Sequence, residues 1–170
     1  PPRSSAMTPI GKTDLIGEHG VKKSDPRIKL IGMLDEASAS LSLAKAFCSA
    51  GNQNYLETCQ KDLSHMMGLL AALPKTLPAD LEGVFVLQLE DLEATIEGIE
   101  STINYPNEFI QPGRTPATGA LDLARTVVRR AERELVAGFE TLQIPDESML
   151  QYLNRLSTLC YLLILAETSA

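Results

Sequence analysis

The chain has 170 residues, 44% hydrophobic and 22% charged, which suits one soluble domain with a core of its own. Aromatics are only 5% and Trp is absent, so the core must come from Leu, Ala, Ile and Val, a composition that favours packed helices over a sheet. The formal net charge of -7 repels nucleic acid and anionic membrane, so neither is expected as a partner, and an anionic ligand would need a local basic cluster.

Residues 1–24 read as a loop, with Pro, Gly, Thr and charge but no period. Within it, Gly11-Lys12-Thr13 resembles the end of a Walker loop, but Ala6 stands where that pattern needs its first glycine and no strand pattern precedes it. A true P-loop is therefore excluded. Gly, Lys and a hydroxyl can still wrap phosphate through backbone N–H groups.

Asp25-Pro26 marks a helix start, with Asp as N-cap and Pro in the first turn. Leu30, Met33, Leu34, Ala37, Leu41 and Ala44 then recur at helical spacing, and the helix is expected to end near Gly51. A second helix is expected from about Asn54 to Leu73, stopped by Pro74. A third runs from about Asp80 to Ile103, with Val84, Leu87, Leu92, Ile96 and Ile99 as its apolar stripe. Asn104 to Gly113 holds two prolines and a glycine and reads as loop. A fourth helix is expected from about Thr115 to Phe139 and a fifth from about Asp146 to Glu167. The fold class is all-α: five helices in an up-and-down bundle, as one domain over residues 25–170.

Cys48, Cys59 and Cys160 match no zinc spacing, and an odd number closes no disulfide set, so they read as reduced thiols on helices. No apolar leader is visible from Pro1 to Met7, and the longest apolar stretch, Leu159 to Ala166, is too short to span a bilayer. A cytoplasmic location is expected. His19 and His65 have no partner at ligand spacing and read as a loop and a helix-surface histidine.

The sharpest chemical feature lies on the fourth helix. Arg125, Arg129, Glu132 and Arg133 fall at i, i+4, i+7 and i+8 and share one face, with Asp122 a turn before them. Guanidinium groups suit bidentate phosphate binding, and a carboxylate among them can hold magnesium or orient an arginine. By spacing alone the stripe equally fits a solvated face with intrahelical ion pairs. Asn154 falls mid-helix, where Asn is a poor helix former, and reads as a ligand contact or a solvent-facing residue. Asp35, beside core positions Leu34 and Ala37, reads as a partly buried carboxylate with a cationic partner or as a surface one.

Four segments in order resemble the PduO-type ATP:corrinoid adenosyltransferases. They are Gly11 to Gly17 with Lys23-Ser24-Asp25-Pro26-Arg27, Gly32 and Asp35-Glu36; Phe109 to Gly113; Ala124-Arg125 with Arg129 to Arg133; and Tyr152 to Ser157. The resemblance covers nearly the whole chain. It implies a homotrimer with active sites between subunits, in which Co(I) of cobalamin attacks C5′ of ATP and releases triphosphate. It also implies that the lower axial ligand of cobalt is stripped so that Co(II) reduces more easily.

Position by position, the resemblance gives Phe109 the role of shielding the lower corrin face, and makes Asp35 and Arg125 an ion pair between subunits. Arg129 and Glu132 take the phosphate and Mg2+ contacts, with Arg130 and Arg133 beside them, and Asn154 takes a nucleotide contact. Lys23 closes over the triphosphate, and Gly11, Lys12 and Thr13 end the N-terminal nucleotide-binding loop of residues 1–24. The chain departs from the family in four places. Met7-Thr8-Pro9-Ile10 replaces a Thr-Gly-Asp opening, Arg114-Thr115 replaces Gly-Ser, Thr158 stands for Asp, and Tyr161 stands for Phe. Proline removes a backbone donor from the phosphate loop. Two readings follow: an active transferase, or a relative that binds nucleotide or corrinoid as a module without full catalysis.

Overall fold

The computed structural model describes residues 9–15, 17–73, 83–108, 110–144 and 147–169. In chain order these form a hairpin of β1 (Lys12–Leu15) and β2 (Glu18–Lys22), then α1 (Pro26–Lys45), α2 (Ala50–Ala72), α3 (Val86–Glu100), α4 (Pro116–Leu142) and α5 (Glu147–Ser169). The helices are the expected five. The hairpin is a correction to the loop expected over residues 1–24 and to an all-α class. Lys12 pairs with Lys22 and Thr13 with Val21, an irregularity follows, and Leu15 then pairs with Glu18. Only Val21 in these strands is buried, so apolar alternation had almost nothing to signal. The turn depends instead on Gly17 at φ 76°, in the left-handed region that glycine enters without strain.

Helix starts follow the chemistry of their caps. Asp25 accepts from the Arg27 backbone N–H at 2.9 Å, with Pro26 in the first turn. Thr115 and Thr118 form a reciprocal capping box at α4, again followed by proline. The ends differ from expectation. Ala46 to Ser49 turn the chain, so α1 stops at Lys45 and α2 starts already at Ala50. At its far end α4 runs on to Leu142, where Gln143 takes a left-handed φ of 55°.

Around the bundle, α4 lies between α1 and α5, α2 packs on α1, and α3 packs chiefly on α5. This differs from an up-and-down order in which each helix packs on the next. The cause is the two-sided burial of α4, whose Leu121, Ala124, Val128, Ala131 and Leu135 are wholly buried. Small residues let its neighbours come close. A Cβ on Gly138 would sit 2.6 Å from the Leu30 methyls of α1.

Helix α5 is strongly apolar, with polar residues such as Gln151, Asn154 and Thr168 on its exposed side. The span Glu147–Thr168 is long and apolar enough by composition to cross a bilayer, contrary to expectation, but its Leu153, Leu156, Leu159 and Leu163 are fully buried in the bundle. A central core helix has this pattern. Tyr152 is buried too. Its ring meets Phe85 edge-on at 5.0 Å, and its hydroxyl donates to Asp62 Oδ2 at 2.7 Å. The three cysteines are free and buried. Cys48 lies in the α1–α2 turn and not on a helix. Burial pushes the Cys48 and Cys59 thiols up to about 12, so they stay protonated and unreactive.

Candidate functional site

The site is built on the outer face of α4 and the adjoining face of α5. Arg125 is fixed by its own helix, with Nε and Nη2 donating to Asp122 Oδ1 at 3.0 and 2.8 Å. Arg129, one turn on, is exposed and makes no ion pair among the described residues. Arg133 reaches back, its Nη1 donating to the Arg129 carbonyl at 3.2 Å. From α5, Asn154 Nδ2 donates to Glu132 Oε1 at 3.0 Å. That bond joins two residues singled out separately in the sequence and holds the Glu132 carboxylate against its helix neighbour.

Arg125 and Arg129 open onto a recess of about 250 Å3, completed by Ser157, Thr158 and Tyr161 of α5. Two guanidiniums and three hydroxyls face one space, with Asp122 the acid paired to Arg125. Such a wall suits a polyanion. A larger groove of about 680 Å3 runs between α3 and α5, with Asn154, Gln151 and Arg155 on one wall and Glu90 and Glu93 on the other. Arg155 is committed there to Glu93, with Nε 2.6 Å from Oε1.

The remaining expected residues fall outside this recess. Arg130 turns the other way and pairs with Glu36 of α1, beside a second α1–α4 link from Lys29 to Glu134 at 2.5 Å. Asp35 is exposed on α1, not partly buried, and makes no ion pair among the described residues. Gly11, Lys12, Thr13 and Lys23 gather at the open end of the hairpin, where the Lys23 N–H donates to the Gly11 carbonyl at 2.9 Å. No hydrogen bond or ion pair among the described residues joins that end to the α4 stripe. Phe109 lies outside the described residues.

Arg27, quoted in the sequence only as part of a motif, proves to be the hairpin's anchor. It is 6% exposed, donates to Asp25 through Nη2 (2.8 Å) and to Glu18 of β2 through Nη1 (3.1 Å), and also bonds the Leu73 carbonyl at the end of α2. The carboxyl of Asp25 is held below its usual range by that guanidinium. The hairpin is thus tied to α1 and α2 by one buried charge.

A family model for cobalamin adenosyltransferases matches residues 8–167. The chain belongs to this family. Among cobalamin adenosyltransferases it is 34% identical over 162 residues to the corrinoid adenosyltransferase PduO of Salmonella typhimurium, covering 94% of this chain and 47% of that protein. The chain therefore spans about half the length of that relative. It is 33% identical over 153 residues to a corrinoid adenosyltransferase of Bacillus subtilis, covering 86% of this chain and 76% of that one. Among solved structures, a variant of the PduO-type ATP:corrinoid adenosyltransferase of Lactobacillus reuteri complexed with cobalamin and ATP superposes with a TM-score of 0.80. It is 26% identical, over 99% of this chain and 91% of that one. A second variant of that protein, complexed with ATP, gives 0.77 at 28% identity over 94% and 90% of the two chains.

Within this chain, the recess wall of Ser157, Thr158 and Tyr161 had a readable signal. These residues follow Asn154 at i+3, i+4 and i+7, one helical face. The Arg27 anchor had none, because its partners Glu18 and Leu73 come together only in the folded chain.

Proposed function

We propose that the protein is a corrinoid adenosyltransferase that moves the 5′-deoxyadenosyl group of ATP to Co(I) of cobalamin, giving adenosylcobalamin and triphosphate. One observation carries this reading: the anion recess of Arg125 and Arg129 beside the bonded pair Asn154 and Glu132. In the reaction cobalt forms a bond to C5′, the C5′–O bond breaks, and triphosphate leaves with the electron pair. Charge builds on the departing oxygen. Arg129, with Arg133 beside it, neutralises it from α4, and fixed cations cost no reorganisation at that moment. Asn154 contacts the nucleotide and orients Glu132. The nucleophile is the metal of the substrate, so no general base is needed.

Glu132 is the residue that would hold a magnesium ion. It is half-buried, Oε1 takes the Asn154 N–H, and Oε2 accepts no hydrogen bond among the described residues. A single carboxylate is a fitting protein ligand, because Mg2+ is commonly held by one or two carboxylates plus phosphate oxygens. When bound, it would add charge neutralisation to the leaving group.

We also propose a homotrimer with composite sites, in the cytoplasm. Asp35 of one subunit meets Arg125 of the next. The hairpin end with Gly11, Lys12, Thr13 and Lys23 closes over the triphosphate held by a neighbour, and Phe109 shields the lower corrin face. Three features of the single chain support this: Asp35 and Arg129, each without an ion pair among the described residues, and a basic hairpin end remote from the stripe. A second reading, binding without full turnover, draws on Pro9, which cannot donate a backbone N–H and whose carbonyl instead takes the Lys12 N–H at 3.0 Å. Incubation with Co(I)alamin and ATP decides between them. Transfer yields the light-sensitive Co–C chromophore and free triphosphate; binding of both substrates with neither product establishes the second reading.

A further inference from the structure

Helix α3 holds an acidic face. It carries Glu90, Asp91, Glu93, Glu97 and Glu100 with no lysine or arginine, against a formal net charge of -7 for the whole chain. The groove of about 680 Å3 between α3 and α5 opens beside this face, with Val86, Leu89 and Ala94 as its apolar lining. Glu93 is committed to Arg155. Glu90 and Glu97 also line the groove, are exposed, and form no ion pair among the described residues. The groove is thus an apolar trough edged by two carboxylates.

The hairpin carries the complementary pattern. Lys12 and Lys22 stand directly opposite across the β1–β2 ladder, both exposed, and neither forms an ion pair among the described residues. Like charges in that position destabilise a strand pair unless anions flank them. The next pair, Thr13 and Val21, turns Val21 into the bundle at 7% exposed, so strand alternation puts the two lysines on the outward face. Ile10, two residues before Lys12, is fully exposed.

One surface therefore presents an apolar tip beside lysines, and another presents an apolar trough beside carboxylates. Apolar centres with charged rims of opposite sign are what matched protein surfaces show. Within one chain Arg27 ties the hairpin to α1 and to the end of α2, and no hydrogen bond or ion pair among the described residues joins it to α3. Two different surfaces of identical chains meet head to tail, and such contacts generate rings when the rotation closes. Asn154 lines the same groove and bonds Glu132, so a hairpin seated there lies beside the proposed triphosphate.

We infer that the groove between α3 and α5 is the docking site for the hairpin tip of a second copy of this chain, with Ile10 against its apolar lining and Lys22 against Glu90 and Glu97. This rests on the composite-site reading, in which a neighbour's hairpin completes the site, and it names the surface that receives that hairpin. Lys12, opposite Lys22, is left for the phosphate. Anions then flank both lysines and relieve their repulsion.

The test is sedimentation velocity over a dilution series, with melting curves as a folding control. It compares the wild type, Lys22→Glu, the double variant Glu90→Lys with Glu97→Lys, and the variant that combines all these changes. Reversing either side sets like charges against each other, so the concentration of half-dissociation is expected to rise roughly tenfold. Combining the changes restores attraction and brings it back to within about threefold of the wild type. Ile10→Ser loosens the assembly without any change of charge. Dissociation that neither reversal alters, or that the combined variant does not recover, overturns the docking. So does a reversal that lowers the melting temperature and leaves association untouched, which would place the contact within one chain. A wild type that is monomeric at every concentration overturns the composite-site reading itself, an outcome distinct from an oligomer indifferent to the reversals.

Discussion

Arg129 and Arg130 are adjacent in sequence and face different elements, so replacing each by alanine separates ligand binding from packing. Arg129 has no acidic partner among the described residues and lines the anion recess, whereas Arg130 pairs with Glu36 of α1. Losing a hydrogen bond to a charged phosphate costs about 1.5–3 kcal/mol, so Arg129→Ala should raise the ATP dissociation constant roughly 10- to 150-fold. Its folding stability should hardly change, because no ion pair is lost. Arg130→Ala breaks a pair whose members are 45% and 50% exposed, and such surface pairs contribute about 0–1 kcal/mol. ATP affinity should then stay within about twofold, with at most a small fall in melting temperature. Calorimetric titration with ATP and Mg2+, beside urea unfolding of all three proteins, reads both effects. An Arg129→Ala variant that binds ATP within threefold of the wild type refutes direct phosphate contact. An Arg130→Ala variant that loses as much as Arg129→Ala refutes the division of the stripe.

Four further outcomes are expected. Glu132→Gln keeps the hydrogen bond from Asn154 but removes the anion, so adenosylation should fall at least tenfold and respond less to added Mg2+; unchanged turnover removes the metal role. Tyr152→Phe deletes the hydroxyl that donates to Asp62 and should cost about 1.5–3 kcal/mol at pH 7, read by urea unfolding. Burial raises the Asp62 carboxyl above its usual range, so its contribution to stability is full below the unfolded value and is lost as pH rises through the folded one. Asp62→Asn should therefore match or exceed the wild type at pH 7, with that difference vanishing in acid; a constant difference excludes the linkage. Gly138→Ala improves helix propensity by up to about 1 kcal/mol but drives a methyl into Leu30 at 2.6 Å. Overpacking of roughly 1–3 kcal/mol should win and lower the melting temperature by roughly 2–8 °C; a rise shows that Leu30 repacks freely.

Sequence alone determined the five helices, because each carries an apolar period of 3.6 and α1 and α4 open on Asp-Pro or Thr-Pro caps that are local chemistry. It also placed Arg125, Arg129, Glu132 and Arg133 on one face, since helical geometry follows from spacing, and set Asn154 apart as a polar residue amid a helix. Local patterns did not reveal the hairpin, whose short strands bury only Val21, or the order in which the helices pack. Only tertiary structure decided that Asn154 and Glu132 touch, that Arg130 leaves the stripe for Glu36, and that Arg27 ties the hairpin to α1 and α2. The physical reason is the same in each case. Periodicity fixes the face on which a side chain stands, but the partner opposite that face is chosen by how α1, α4 and α5 pack.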